Sequence, residues 1–205
     1  MLSVGALAVP LISAASTPGS ATLLLGEEKV RAAADSLPAG QPQAFEFTAT
    51  ARGTATSAHV YLARQSSAAS MTVGIYSTVQ GRPAALLSSA TLSSPQPDAW
   101  NTVTLPAGEV RDGGEYWIAL LGEGGTLRIR HADATGCKTD TSSKTGASLA
   151  AVWPAGSIGR GCPVSAYVTG TTQSESPPPA KPTNTAAPVI EGTALQGETL
   201  SATTG

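Results

Sequence analysis

Polar and apolar residues alternate with a period of two through much of the middle of the chain. In "SAHVYLAR", Ala58, Val60 and Leu62 fall on one side and His59 and Tyr61 on the other. In "SMTVGIYS", Met71, Val73 and Ile75 alternate with Thr72, Gly74 and Tyr76, and in "AWNTVTLP", Val103 and Leu105 oppose Trp100, Thr102 and Thr104. A period of two marks a half-buried strand, so each stretch predicts one dry and one wetter face. The run "GGEYWIALLGEGGTLRIR", Gly113 to Arg130, departs from this: Tyr116, Ile118 and Leu120 lie on one side, and Trp117, Ala119 and Leu121 on the other. A strand apolar on both faces must be covered on both, which predicts a central strand with the opposing sheet over one face and loops or terminal segments over the other. The glycine-rich loop Gly122–Gly125 predicts a hairpin whose return strand "TLRIR" points Leu127 and Ile129 inward and Arg128 and Arg130 outward. Only "EEKVRAAADS" has a helix-like composition, and its place before "AFEFTATA" predicts a loop. Several short strands without helical periodicity predict an all-β fold, an antiparallel two-sheet sandwich of jelly-roll or Greek-key type.

The alternation is confined to a body spanning residues 22–170. Before it, residues 1–21 open on "MLSVGALAVPLISAA", an apolar run ending in small residues, with Ser13 and Ala15 spaced as a signal-peptidase site. No Lys or Arg precedes Lys29, so two readings stand: an export signal whose basic end lies upstream, or an apolar tail. Pro10 and the shortness of the run argue against a membrane-spanning helix. Residues 171–188, "TTQSESPPPAKPTNTAAP", are a Pro, Ser and Thr linker expected to be extended. A new alternating pattern, "VIEGTALQGETLSATTG", occupies residues 189–205 and reads as the start of a second module.

Composition agrees with short strands and many turns. Only 13% of the 205 residues are charged, against about 25% in an ordinary globular domain. A formal charge of -2 leaves no basic footprint for nucleic acid or an anionic membrane surface. The two cysteines, Cys137 and Cys162, lack C-x-x-C spacing. A disulfide is the natural reading for an exported chain, and two buried free thiols the alternative if it is not exported.

Chemistry is sparse. G-x-S-x-G is absent, His59 shares a strand with Tyr61, and His131 in "RHAD" is a candidate ligand or acid/base group beside Asp133. No catalytic residue and no metal site is assigned. Calcium is conceivable through Asp35, Asp98, Asp133 or Asp140, but no D-x-D-x-D run groups them, and no cofactor is expected. Aromatic placement is the strongest lead. Tyr61, Tyr76 and Trp100 all fall opposite the aliphatic side of their strands, and sugars stack their C–H faces on such rings. Arg128 and Arg130 are candidate partners for hydroxyls or an acidic sugar, with plain packing and a solvated strand as the rival explanations.

The ordered stretches "LLLGEEKV", "DSLPAGQPQAFEFTATARGTATSAHVYL", "MTVGIYS", "GRPAALL", "AWNTVTLP", "GGEYWIALLGEGGTLRIR" and "PVSAYV" resemble an accessory β-sandwich module repeated in large secreted bacterial surface proteins. In that family the module accompanies glycoside hydrolases, sugar-binding domains and immunoglobulin-like repeats, and the resemblance implies no catalytic residue. The tail "NTAAPVIEGTALQGETLSATTG" is similar to the opening of a bacterial immunoglobulin-like repeat. The expectation is therefore a non-catalytic module at the cell surface or secreted, binding polysaccharide or cell-wall glycan and adjoining other domains of one polypeptide. The alternatives are a purely structural spacer and a fragment of a glycoside hydrolase.

Overall fold

The structure is a computed structural model that describes residues 21–132, 134, 136–172, 187 and 189–202. The signal-like segment other than Ala21, most of the linker, and Asp133 lie outside the described residues. The chain divides into two units, Met1–Gln173 and Ser174–Gly205.

Among the described residues of the first unit, the regular elements are all strands: β1 (Thr22–Gly26), β2 (Ala33–Leu37), β3 (Gln43–Thr48), β4 (Gly53–Leu62), β5 (Ser70–Val79), β6 (Arg82–Ser93), β7 (Ala99–Val110), β8 (Glu115–Glu123), β9 (Leu127–His131), β10 (Thr139–Thr141), β11 (Ser157–Gly159) and β12 (Ala166–Thr172). They form two antiparallel sheets. One runs β1-β12-β4-β9-β2, with β7 on the other side of β4; the second runs β11-β10-β3-β8-β5-β6. Chain neighbours mostly switch sheets, so β3 and β5 belong to one sheet and β4, between them in sequence, to the other. The predicted sandwich is the fold of this chain, and no helix among the described residues is long and apolar enough to cross a membrane.

The core between the sheets is made by the inward sides of the alternating strands, including Val60, Leu62, Val73, Ile75, Val103, Ile118, Leu120 and Ile129. As expected, β8 is central, flanked by β3 and β5. Its second face, with Trp117, Ala119 and Leu121, joins a smaller cluster containing Ala44, Tyr76, Leu149 and Trp153. Leu149 and Trp153 come from the excursion between β10 and β11, which therefore covers the outside of this sheet. The cover is tied down by Trp153 N–H to Ala84 O (2.8 Å), Leu86 N–H to Ala151 O (2.9 Å) and Gly146 N–H to Gly40 O (2.9 Å). The disulfide Cys137–Cys162 joins the chain just before β10 to the chain just after β11, closing the base of the cover.

Three expectations need correction. The expected loop Gly122–Gly125 does not close a hairpin, because both edges of β8, which runs on to Glu123, are occupied; residues 124–126 carry the chain across to the other sheet, where β9 pairs with β2. That crossing needs glycine at Gly125, whose φ is +152° and where a side chain would meet the Ser67 carbonyl oxygen at 2.3 Å. β5 has no wet face through its middle, since Thr72, Gly74 and Tyr76 are buried, Gly74 under Leu149 and Tyr76 under Trp153 of the cover. And the "AADSL" portion of the expected loop is strand β2, an edge held in register with β9 from Ala33↔His131 to Leu37↔Leu127.

The second unit contains one described strand pair, β13 (Ile190–Glu191) with β14 (Ser201–Ala202), and its side chains are exposed.

Candidate functional site

On β4, Ala58, Val60 and Leu62 occupy the core, which turns His59 and Tyr61 to the outer face of their sheet. Register adds two rings. Tyr61 lies opposite Trp100 of β7, and His59 lies opposite Tyr167 of β12 and Thr102 of β7. Directly opposed residues share a face, so three strands bring His59, Tyr61, Trp100 and Tyr167 into one half-buried group. Tyr167 lies flat on His59, with centroids 4.3 Å apart and planes 12° from parallel. Trp100 stands edge-on to Tyr61 (5.5 Å, 80°) and to Tyr167 (5.1 Å, 69°).

Polar contacts hold these rings in place. The His59 ring is clamped between two hydroxyls, Nδ1 3.0 Å from Thr102 Oγ1 and Nε2 3.2 Å from Thr169 Oγ1. Partial burial pushes its pKa down, opposed by the charge of Glu28. Tyr61 donates its hydroxyl to Asp98 Oδ1 at 3.1 Å, and Asp98 Oδ2 sits 3.4 Å from Arg64 Nη2. Desolvation raises the pKa of Tyr61, with the Asp98 hydrogen bond adding to it, and desolvation likewise raises that of Tyr167. Arg128 and Arg130 flank the group on the same face, because Leu62↔Ile129 pairs inward and places Tyr61 and Arg130 outward together. Arg128 Nη1 donates to Gln65 Oε1 (2.7 Å) and Arg130 Nη1 to Ala32 O (2.8 Å). These positioned donors leave a shallow aromatic strip with a cationic end.

Of the three rings singled out in the sequence, Tyr61 and Trp100 come together and Tyr76 does not. Tyr76 belongs to the opposite sheet and is fully buried beneath the cover, edge-on to Trp153 at 5.1 Å, its hydroxyl donating to Ala150 O at 2.6 Å. Burial pushes its pKa up to about 12. It is a packing residue, because the alternate face of β5 meets Trp153 and Leu149 instead of water. His59 and Tyr167 complete the strip. Tyr167 was readable in "SAYVTG", where Ala166, Val168 and Gly170 take the buried parity and Tyr167 and Thr169 the other.

Of the acids considered for calcium, Asp133 lies outside the described residues and the other three have separate partners. Asp35 accepts from the Ser36 N–H on the β2 edge, and Asp98 holds Tyr61 and Arg64. Asp140 is fully buried beside Arg82 and accepts from the Gly156 N–H. Among the described residues no group of three or more His, Cys, Asp or Glu is arranged to hold a metal ion. A cavity of about 350 Å³ at the edge of the sandwich is lined in part by Glu27, Glu46 and Glu115, where Glu27 pairs with Arg31 and Glu46 with Lys138. His131 ends β9 as a buried residue. No protein-family model matches this chain, and no curated protein matches it.

Proposed function

We propose that the sandwich is a non-catalytic, exported accessory module that binds carbohydrate or a cell-surface glycan within a larger polypeptide. The observation that carries this reading is the four-ring strip on the outer face of one sheet, where Trp100 and Tyr61 lie beside fixed donors and acceptors from Asp98, Arg64 and Arg130. Rings of this kind offer apolar surface to the C–H face of a sugar while neighbouring polar groups meet its hydroxyls. Export is supported by the Cys137–Cys162 disulfide, a bond that persists in oxidising compartments. The order of sequence landmarks, resembling modules that accompany glycoside hydrolases, agrees with an accessory role. Affinity of one shallow strip is low, and tethering to neighbouring domains raises its effective strength.

A polysaccharide array probed with the full chain tests the reading. Trp100→Ala and Tyr61→Ala should each weaken binding by about tenfold, the scale of one lost aromatic contact of ~1.4 kcal/mol, while Tyr76→Phe leaves it unchanged. The edge-on packing of Trp100 against Tyr61 and Tyr167 favours a second reading, in which the rings seal a sheet face of a ligand-free spacer. Absence of binding to every polysaccharide, or binding indifferent to both substitutions, would establish that second reading instead.

A further inference from the structure

The ring strip is electrically lopsided. Around Tyr61 stand three guanidinium groups: Arg64 in the turn after β4, with its side chain 80% exposed, and Arg128 and Arg130 on β9. Arg130 reaches the Tyr61 position through the backbone: Tyr61 N–H donates to Ser165 O and Ser165 N–H to Arg130 O, both within 2.9 Å. Trp100, Tyr61 and Arg130 therefore lie in a row across the sheet, and Arg130 is close enough to act electrostatically on the Tyr61 hydroxyl.

One carboxylate at this end, Asp98, offsets Arg64 and leaves Arg128 and Arg130 without one among the described residues. Asp98 is already shared between the Tyr61 hydroxyl and Arg64. Asp35 is opposite Ile129 in the β2–β9 register, which puts it on the other face of the sheet from Arg128 and Arg130. Glu28 acts on His59 and Tyr167, at the far end of the strip. Among the described residues, Arg128 and Arg130 hydrogen-bond to neutral groups, the Gln65 side-chain oxygen and the Ala32 carbonyl, each through one Nη1. A guanidinium has five N–H donors; in both arginines Nε is buried and one Nη1 bond is made, so it is the Nη1 and Nη2 end of each group that retains donors to meet a carboxylate end-on.

We infer that the glycan recognised by this strip is a polyuronate, its sugar rings lying on Trp100 and Tyr61 and its carboxylates meeting Arg130, Arg128 and Arg64. This rests on the carbohydrate-binding reading above and adds the charge of the ligand. The cations confer selectivity against neutral polysaccharides of the same backbone, and because they are at the surface their contribution is screened by salt.

The test pairs each acidic polymer with its neutral counterpart. Polygalacturonate and alginate, each before and after carboxyl reduction, are titrated against the full chain by calorimetry, alongside a neutral glucan and a sulfated glycan. Carboxyl reduction should weaken binding by at least about fivefold, and raising the salt from about 0.05 to 0.5 M should do the same for the acidic polymers alone. Arg128→Gln together with Arg130→Gln should lose about fivefold for the acidic polymers, the scale of one or two surface ion pairs, and should not alter binding of the reduced ones. An unchanged thermal midpoint separates lost binding from lost fold, and carboxyl reduction leaves the protein untouched altogether. Equal binding of reduced and native polymers, or binding restricted to neutral or sulfated glycans, overturns the polyuronate inference while the stacking strip stands. No binding to any glycan overturns both.

Discussion

Asp140 shows how much a single buried charge can organise. Its carboxylate is fully buried, accepts from the Gly156 N–H at 3.2 Å and lies 3.7 Å from Arg82 Nε, while Arg82 Nη2 donates to the Gly156 carbonyl at 3.0 Å. A side chain at Gly156 would come within 1.8 Å of the Thr141 carbonyl oxygen, so the cover turns here against the backbone of β10 and only glycine fits. Asp140, Arg82 and Gly156 thus hold one end of the cover. Arg82 is 37% exposed and keeps water when its partner goes, so the cost of Asp140→Ala falls mainly on the buried Gly156 N–H that loses its acceptor: about 2 kcal/mol in urea unfolding, and Asp140→Asn, which keeps that acceptor, about half that. Asp140→Ala combined with Arg82→Ala should cost less than the sum of the single changes, the signature of a direct interaction. Equal costs for Ala and Asn would assign the loss to the charge alone and leave the Gly156 bond without weight. Nothing in "KTDTS" announces this role, because the partner Arg82 is far away in sequence and the burial depends on the cover.

At the scale of elements, the excursion from β10 to β11 is the feature that lets β8 be apolar on both sides. Leu149 and Trp153 are its only large apolar residues in the second cluster, and its remaining positions are mostly exposed. So small an apolar contact needs help to stay closed, and the Cys137–Cys162 bond supplies it by joining the two ends of the excursion. Cys137→Ala with Cys162→Ala should lower unfolding stability by about 3 kcal/mol, the loop-closure scale for a span of this length. Amide exchange should accelerate first at residues 142–156, ahead of β8, and a uniform acceleration across both would show that the cover is no separate element. Strands with strict alternation, β4 and β7, were legible because one side faces the core and the other faces water. The double-sided pattern of β8 was legible because both of its faces are covered. What could not be read is what covers a face: Tyr76 has the parity of a solvent-facing ring, and only the distant Trp153 makes it a core residue. Likewise the glycine-rich loop after β8 has hairpin length, but pairing of β3 and β5 on both edges of β8 is a long-range fact. The edge strand β2 and the short β10 and β11 carry little apolar alternation, since their places are set by their neighbours.

For the whole molecule, one histidine and the tyrosines set opposite limits on the pH range of stability. On the outer strip, burial lowers the pKa of His59 below its ordinary value of 6.5, so the folded state disfavours the imidazolium. That contribution is fully present above pH 6.5 and is lost as the pH falls from 6.5 through the lower folded value. Under the cover, Tyr76 is raised from 10.0 to about 12, and on the outer strip Tyr61 and Tyr167 are raised as well. The folded state here disfavours the phenolate, so stability present below pH 10 is lost as the pH rises from 10 towards 12. Thermal midpoints should therefore form a plateau between these limits and fall on both sides. Tyr76 accounts for the larger part of the alkaline fall, on the order of 2 kcal/mol by pH 12, because it alone is fully buried. His59→Gln should flatten the acid limb without moving the alkaline one, and Tyr76→Phe should lower the plateau, through loss of its bond to Ala150, while flattening the alkaline limb. Glycan binding should follow only the first of these changes, since Tyr76 belongs to the opposite sheet from Trp100 and Tyr61. If Tyr76→Phe alters binding at neutral pH while the fold is intact, the two faces are coupled through the core, and the assignment of recognition to one sheet alone is wrong.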